Sequence, residues 1–135
     1  MKNKSIAIFE FEKPFVFVTF TGNDFNDKNF EEYTLQSHKA FEWNRYAMIY
    51  DISKVEYVQS KYRDLQAKDI RKNKEEIENK AIGLAVIAPS FIKRTLAKAV
   101  FLIISYPSKI KICENKEEAL KWINELLEEE KNHKQ

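Results

Sequence analysis

Two glycines, Gly22 and Gly83, are all the chain contains, so it has neither a glycine-rich phosphate loop nor a dinucleotide-binding fingerprint. With so few glycines and only three prolines in 135 residues, long disordered linkers are not expected. The single cysteine, Cys113, permits no internal disulfide and suits a reducing compartment. The two histidines, His38 and His133, stand in different contexts, and no Cys or His cluster has the spacing of metal ligands. No serine occupies a nucleophile elbow. Cys113 with His38 would be the one nucleophile and base pair, but a lone cysteine in an apolar strand reads as a small buried hydrophobe. The longest apolar run, AVFLIISY, falls far short of the roughly 20 residues of a membrane span. After Lys2 and Lys4, the acids of SIAIFEFEK interrupt any signal-peptide core. One-sided charge is missing too: 23 basic against 21 acidic residues leave a formal net charge of +2, without the basic face that nucleic acid requires. A cytoplasmic, non-enzymatic protein without metal, cofactor or membrane span is expected.

What is present is an ample core for one domain, with 44% hydrophobic and 13% aromatic residues. In SIAIFEFE, Ile6, Ile8 and Glu10 alternate with Ala7, Phe9 and Phe11, and FVFVTFTG follows after Lys13-Pro14, so these two segments read as a hairpin. From Asn23 onward the period changes to that of a helix: Phe30, Tyr33, Ser37, Ala40 and Phe41 share a face, with Asp24 or Asp27 placed to cap. YAMIYDI is a buried-strand run, and residues 60–80 form one charged helix with a thin apolar side of Tyr62, Leu65, Ile70 and Ile77. AIGLAVIA, apolar on both faces, is a central strand of a sheet covered by helices. Pro89-Ser90 opens a third helix with Ile92, Leu96, Ala99, Val100 and Ile103 at helical spacing, and Pro107 stops it. KIKIC alternates with exposed lysines, as a strand near an edge does. Asn115 and Glu118 then form a capping pattern ahead of a last helix with a stripe of Ala119, Leu120, Ile123, Leu126 and Leu127.

The order is β-β-α-β-α-β-α-β-α. It predicts an α/β domain over residues 1–130, with a mixed, mostly parallel five-stranded sheet, right-handed crossovers and four helices, and a frayed tail at 131–135.

In the middle of this order stands MIYDISKVEYVQSKYRDL. Asp51-Ile52-Ser53, Arg63, AIGLAVIAPS, Arg94, Pro107 and the run Glu117 to Ile123 follow. The pattern resembles the STAS domains of the anti-sigma factor antagonists, the SpoIIAA-like fold. It resembles more closely a small bacterial group often placed beside the lipid-transfer CRAL-TRIO domains. The resemblance implies a regulatory, protein-binding role, with an apolar small-molecule ligand such as a lipid as the alternative. The antagonists carry a phosphorylatable serine in DSSG at the start of the helix after this strand. Here Gln59-Ser60-Lys61-Tyr62 stands at that place; Ser60 matches the first serine, and Lys61 replaces the phosphorylated one.

Ser60 also reads as a plain helix cap, since it precedes an apolar-periodic segment. A phosphoryl group there would be favoured by the helix end and by Lys61 and Arg63. Asp51 and Ser53 end a strand at the crevice where open α/β sheets place ligands, and they equally read as a turn. Arg63 and Arg94 start neighbouring helices and suit an anion or a partner's carboxylate, or salt bridges to nearby acids. Phe101, Leu102 and Ile104 leave the third helix greasy on a second side, with Trp43 and Trp122 available to cover it. A homodimer contact there ranks ahead of a lipid cavity.

Overall fold

Alternation in the first twenty residues builds a hairpin. β1 (Ala7–Glu12) and β2 (Phe15–Phe20) pair antiparallel, with Ala7 opposite Phe20 and Glu12 opposite Phe15. Ile8 is exposed as the alternation requires, whereas Ile6, one residue before the strand, turns into the core. β3 (Tyr46–Asp51), β4 (Ala81–Ile87) and β5 (Ile110–Cys113) then add in parallel, so that the spatial order repeats the chain order β1 to β5. β4 is buried at every position and lies between β3 and β5, and the short β5 forms an edge. This computed structural model describes residues 4–102 and 105–133.

The helices are α1 (Asp27–Ser37), α2 (Ser60–Lys72), α3 (Lys74–Lys80), α4 (Phe91–Ala97) and α5 (Lys116–His133). α1 runs on as a 3₁₀ turn over His38–Glu42, and α4 as a π turn over Lys98–Leu102. Five helices stand where four are expected, because the charged segment 60–80 breaks at Asn73 (φ −105°, ψ 21°). The Asn73 side chain donates to the backbone oxygen of Asp69 at 2.9 Å and to its carboxylate at 3.1 Å, local bonds that compete with continuing the helix.

With strands advancing in one direction, crossovers of a single hand must all lie on one face. One core cluster accordingly gathers Phe30 and Tyr33 of α1, Tyr62 and Ile70 of α2, Ile77 of α3 and Ala97 of α4 against Val16, Val18, Met48, Tyr50, Leu84 and Val86. Inside it the Tyr33 and Tyr50 hydroxyls meet at 2.9 Å. The other face belongs to α5, whose Ala119, Ile123 and Leu126 pack on Ala47, Ile49, Ala85 and Ile87. Gly83 is what lets α5 approach: a Cβ there would lie 3.0 Å from Leu126 Cδ1 and 3.1 Å from the Trp122 ring.

Several expectations are corrected at this level. Phe101 is 5% exposed and packs edge-on against Tyr50 at 5.6 Å, so it belongs to the core and not to a dimer contact. The Leu102 side chain and Ile104 lie outside the described residues. What α4 does expose is Phe91 (77%) and Ile92 (76%) at its outer end. Trp43 meets Phe11, and Trp122 sits on the α5 face, so neither covers α4. α5 continues to His133, into the segment expected to fray. Among the described residues no helix is long and apolar enough to cross a membrane.

α1 is capped by Asn26, not by Asp24 or Asp27. The Asn26 and Asn29 side chains each accept from the other's backbone N–H at 2.8 Å. Asn29 is fully buried, and its Nδ2 also donates to the carbonyls of Lys4 and Asp24, both at 2.9 Å. One side chain therefore ties the chain's entry, the β2–α1 loop and the helix start. Asn29→Ala is expected to cost about 1–2 kcal/mol, because it removes the capping-box partner of Asn26 and the donor to two partly buried carbonyls. Urea denaturation measures this. Asn29→Asp, which keeps the acceptor and loses the donor, should fall between the two.

Candidate functional site at the start of the second helix

The carboxyl ends of β3 and β4 open onto the β3–α2 loop and the starts of α2 and α4, where a parallel sheet presents its binding residues. Asp51 closes β3, and its Oδ1 accepts from both the backbone N–H (2.9 Å) and the hydroxyl of Ser53. Both are thus consumed in a turn, as their local reading allows. Arg94 Nη1 donates to the Ala88 carbonyl at 3.3 Å, a tie between α4 and the end of β4. Ser90 caps α4 by accepting from Lys93 N at 3.2 Å, and Lys93 Nζ bonds the Val55 carbonyl. These contacts fasten α4 to the loop.

α2 begins differently. Gln59 is its N-cap and no side chain caps the helix; Ser60 is the first helical residue, so the capping role expected of it is not what the structure shows. Its first turn, Ser60-Lys61-Tyr62-Arg63, holds two cations and no acid, the reverse of what a helix dipole favours. Lys61 is answered by Asp27 of α1, Nζ to Oδ1 at 2.6 Å, and the Tyr62 hydroxyl donates to the same oxygen at 3.0 Å. Those two bonds hold the Asp27 carboxyl below its ordinary range, Lys61 first and Tyr62 second. Lys61 and Tyr62, expected at a binding rim, are therefore the pins that join α2 to α1. The Tyr62 ring is buried against Phe25 and Phe30.

Arg63 is left over. Its Nη2 reaches Ser60 Oγ only at 3.4 Å, and it forms no ion pair among the described residues, the expected pairing with Asp64 included. Its Nε is buried without a hydrogen-bond partner. The Arg63 side chain also lines an apolar cavity of about 50 Å³ under α4, in the region where the sequence offered a ligand cavity as the alternative to a dimer contact. Phe25, Phe30 and Tyr62 line one side, Ile52, Val55 and Val58 the loop side, and Leu96, Val100 and Phe101 the α4 side, with Gln66 the other polar residue. Of the seven positions singled out in the sequence, Tyr62 and Arg63 line this cavity and Ser60 lies beside Arg63, whereas Asp51, Ser53, Lys61 and Arg94 serve turns and ties. The missed residues, Val55, Val58, Leu96 and Val100, read as ordinary core in sequence and carried no signal of a cavity.

The one nucleophile and base pair that the sequence offered, Cys113 with His38, is not assembled. Cys113 lies on the α5 face, where burial first and Glu118 second push its thiol up to about 11. His38 is on the opposite face, bonded to Asp69 at 2.9 Å and stacked on Phe41, so the two are not brought together. Among the described residues no group of three or more His, Cys, Asp or Glu is placed to hold a metal ion.

This architecture is the SpoIIAA-like fold. A crystal structure of an uncharacterised protein of the DUF3478 family with a SpoIIAA-like fold, from Shewanella loihica PV-4, matches it with a TM-score of 0.61 over 91% of this chain and 98% of that one. Sequence identity is 14%, so the likeness shows the fold alone. No family model and no curated protein matches the chain.

Two outcomes follow from the site. The folded Asp27 carboxyl sits below its unfolded value near 3.8, so its contribution is complete above that value and is lost as pH falls through the lower folded one. An NMR titration of Asp27 should show this depression, and Lys61→Ala should move the midpoint back up. Arg63→Met removes a half-buried charge that has no counter-ion, and is expected to leave stability unchanged or raise it by about 1 kcal/mol. A large loss in urea would show instead that Arg63 is a packing residue.

Proposed function

We propose that the chain is a non-enzymatic binding module whose site is the start of α2 and the cavity behind it, taking from a partner protein a short branched apolar side chain with an adjacent carboxylate. The single observation that carries this reading is Arg63: a guanidinium at the positive end of a 13-residue helix, lining an apolar cavity, with its Nε buried and unpartnered and no acid answering it among the described residues. An isolated cation in such a place costs free energy that an incoming anion restores, and a charge-assisted, bidentate contact suits a carboxylate. The apolar wall beside it takes the anchor, in the way that buried side chains at interface centres carry most of the affinity.

Size separates this from the carrier reading. About 50 Å³ is a third of the roughly 150 Å³ cavity that holds benzene, enough for the tip of a valine or leucine and too little for an acyl chain. A lipid would need Leu96 and Val100 to withdraw with α4. The mostly apolar lining is what favours this second reading, and a retained lipid in native mass spectra of protein from its own host would support it.

Ser60 gives the site a regulator. A phosphoryl group on its Oγ, already facing Arg63 Nη2, would supply the missing anion within the chain and so compete with a partner's carboxylate. The buried lone thiol suits a reducing, cytoplasmic setting, which belongs to the same proposal.

N-acetyl-leucine tests the proposal, since it joins a branched apolar group to a carboxylate. NMR titration is expected to shift Val55, Val58, Arg63 and Val100, with weak affinity on the order of 1 mM for so few atoms. Binding should be lost in Arg63→Gln and in Ser60→Glu, and N-acetyl-leucinamide, which lacks the charge, should not bind. Equal binding by N-acetyl-leucinamide, or by the Arg63→Gln protein, overturns it.

A further inference from the structure

A groove of about 510 Å³ runs between α1 and α2 on their outer side. The two helices lie side by side and point the same way, tied at their starts by Asp27 and Lys61 and at their ends by His38 and Asp69. Between these ties the groove shows apolar side chains to solvent. Leu35 of α1 is 60% exposed and Leu65 of α2 38% exposed, although periodicity assigns Leu65 to the buried stripe of its helix. With Asp27 and Lys61 paired to each other and Asp69 of α2 taken up by His38, the remaining charges on the two walls are opposite: Glu31 on α1, Lys68 and Lys72 on α2. None of these three is held in an ion pair among the described residues, so all are available.

An apolar floor with charged walls marks an interaction surface, and its chemistry limits the occupant. α1 and α2 satisfy their own backbone groups, so an extended segment laid here would find no backbone partners, whereas a helix brings its hydrogen bonds complete. The long amphipathic helix of a second copy is not free to fill it: α5 buries Ala119, Ile123 and Leu126 in its own core, and α4 at seven residues is too short to span the groove. We propose that this groove receives an amphipathic helix of another protein, with its aliphatic stripe seated between Leu35 and Leu65 and an acidic flank against Lys68 and Lys72. Glu31 opposite disfavours acids on the other flank. The groove shares Phe30 with the cavity at Arg63 but opens on the outer side of α1 and α2, away from the α4 residues that wall the cavity.

The probes are two fluorescein-labelled peptides of about 14 residues, matched to the length of α2, with one leucine stripe and a flank of either glutamates or lysines. Fluorescence anisotropy is expected to show the glutamate peptide binding at least about tenfold more tightly than the lysine peptide. The double variant Lys68→Glu with Lys72→Glu, both exposed positions, should reverse that preference, and Leu65→Gln should weaken both. Equal binding of the two peptides, or a preference unchanged in the double variant, overturns the proposal. So does a concentration-dependent dimer in light scattering that Leu35→Gln dissolves, which would make the groove a contact between copies. An unchanged thermal transition confirms that the variants fold. Retained N-acetyl-leucine binding in the double variant separates a failure here from a failure at Arg63.

Discussion

Parallel pairing in strict chain order is the constraint on which the molecule rests. Each strand from β2 to β5 adds to the same growing edge, so the connections between them cannot alternate faces without changing hand. Four helices are thereby crowded onto one side, and the last helix alone serves the other. Crowding generates both surfaces of interest: neighbouring parallel helices leave a groove between their outer faces, and short α4 leaves a gap where it meets α2 and the β3–α2 loop.

The electrostatics of α2 follow from its neighbours rather than from the helix. Lys61 at a helix start is unfavourable by itself, yet Asp27 of α1 lies within 2.6 Å and turns it into a fastening. Arg63, two residues further along, has no such acid among the described residues, and its Nε is buried without a partner. Two basic residues two positions apart thus do opposite things: one secures the helix pair and the other holds an unanswered charge. Residues that break a local rule without local compensation are where binding sites concentrate.

Much of the fold was legible because burial imposes period. The alternation in β1 and β2, the doubly apolar β4, the lysine-edged β5 and the stripe of α5 all write their environment directly into residue spacing. Errors fell where a single side chain overrides the period. Asn73 splits one expected helix into two through bonds to Asp69, and Asn26, not a neighbouring aspartate, caps α1 because its partner Asn29 is buried three residues on. The site was half legible. Ser60 and Arg63 stood out as polar residues at a helix start, whereas Val55, Val58, Leu96 and Val100 are indistinguishable in sequence from any other core residue.

The sequence by itself determined the order of elements, the two-sided covering of the sheet and the absence of the glycine-rich motifs that nucleotide binding requires, since each depends on residue type and near-neighbour spacing. Only the tertiary structure decided which charges are answered and where space remains. Asp27 and Lys61 are 34 positions apart, and the cavity is walled by residues from Phe20 to Phe101. Counter-ions and voids are properties of distance in space, and chain spacing carries no record of them until the sheet has brought its helices together.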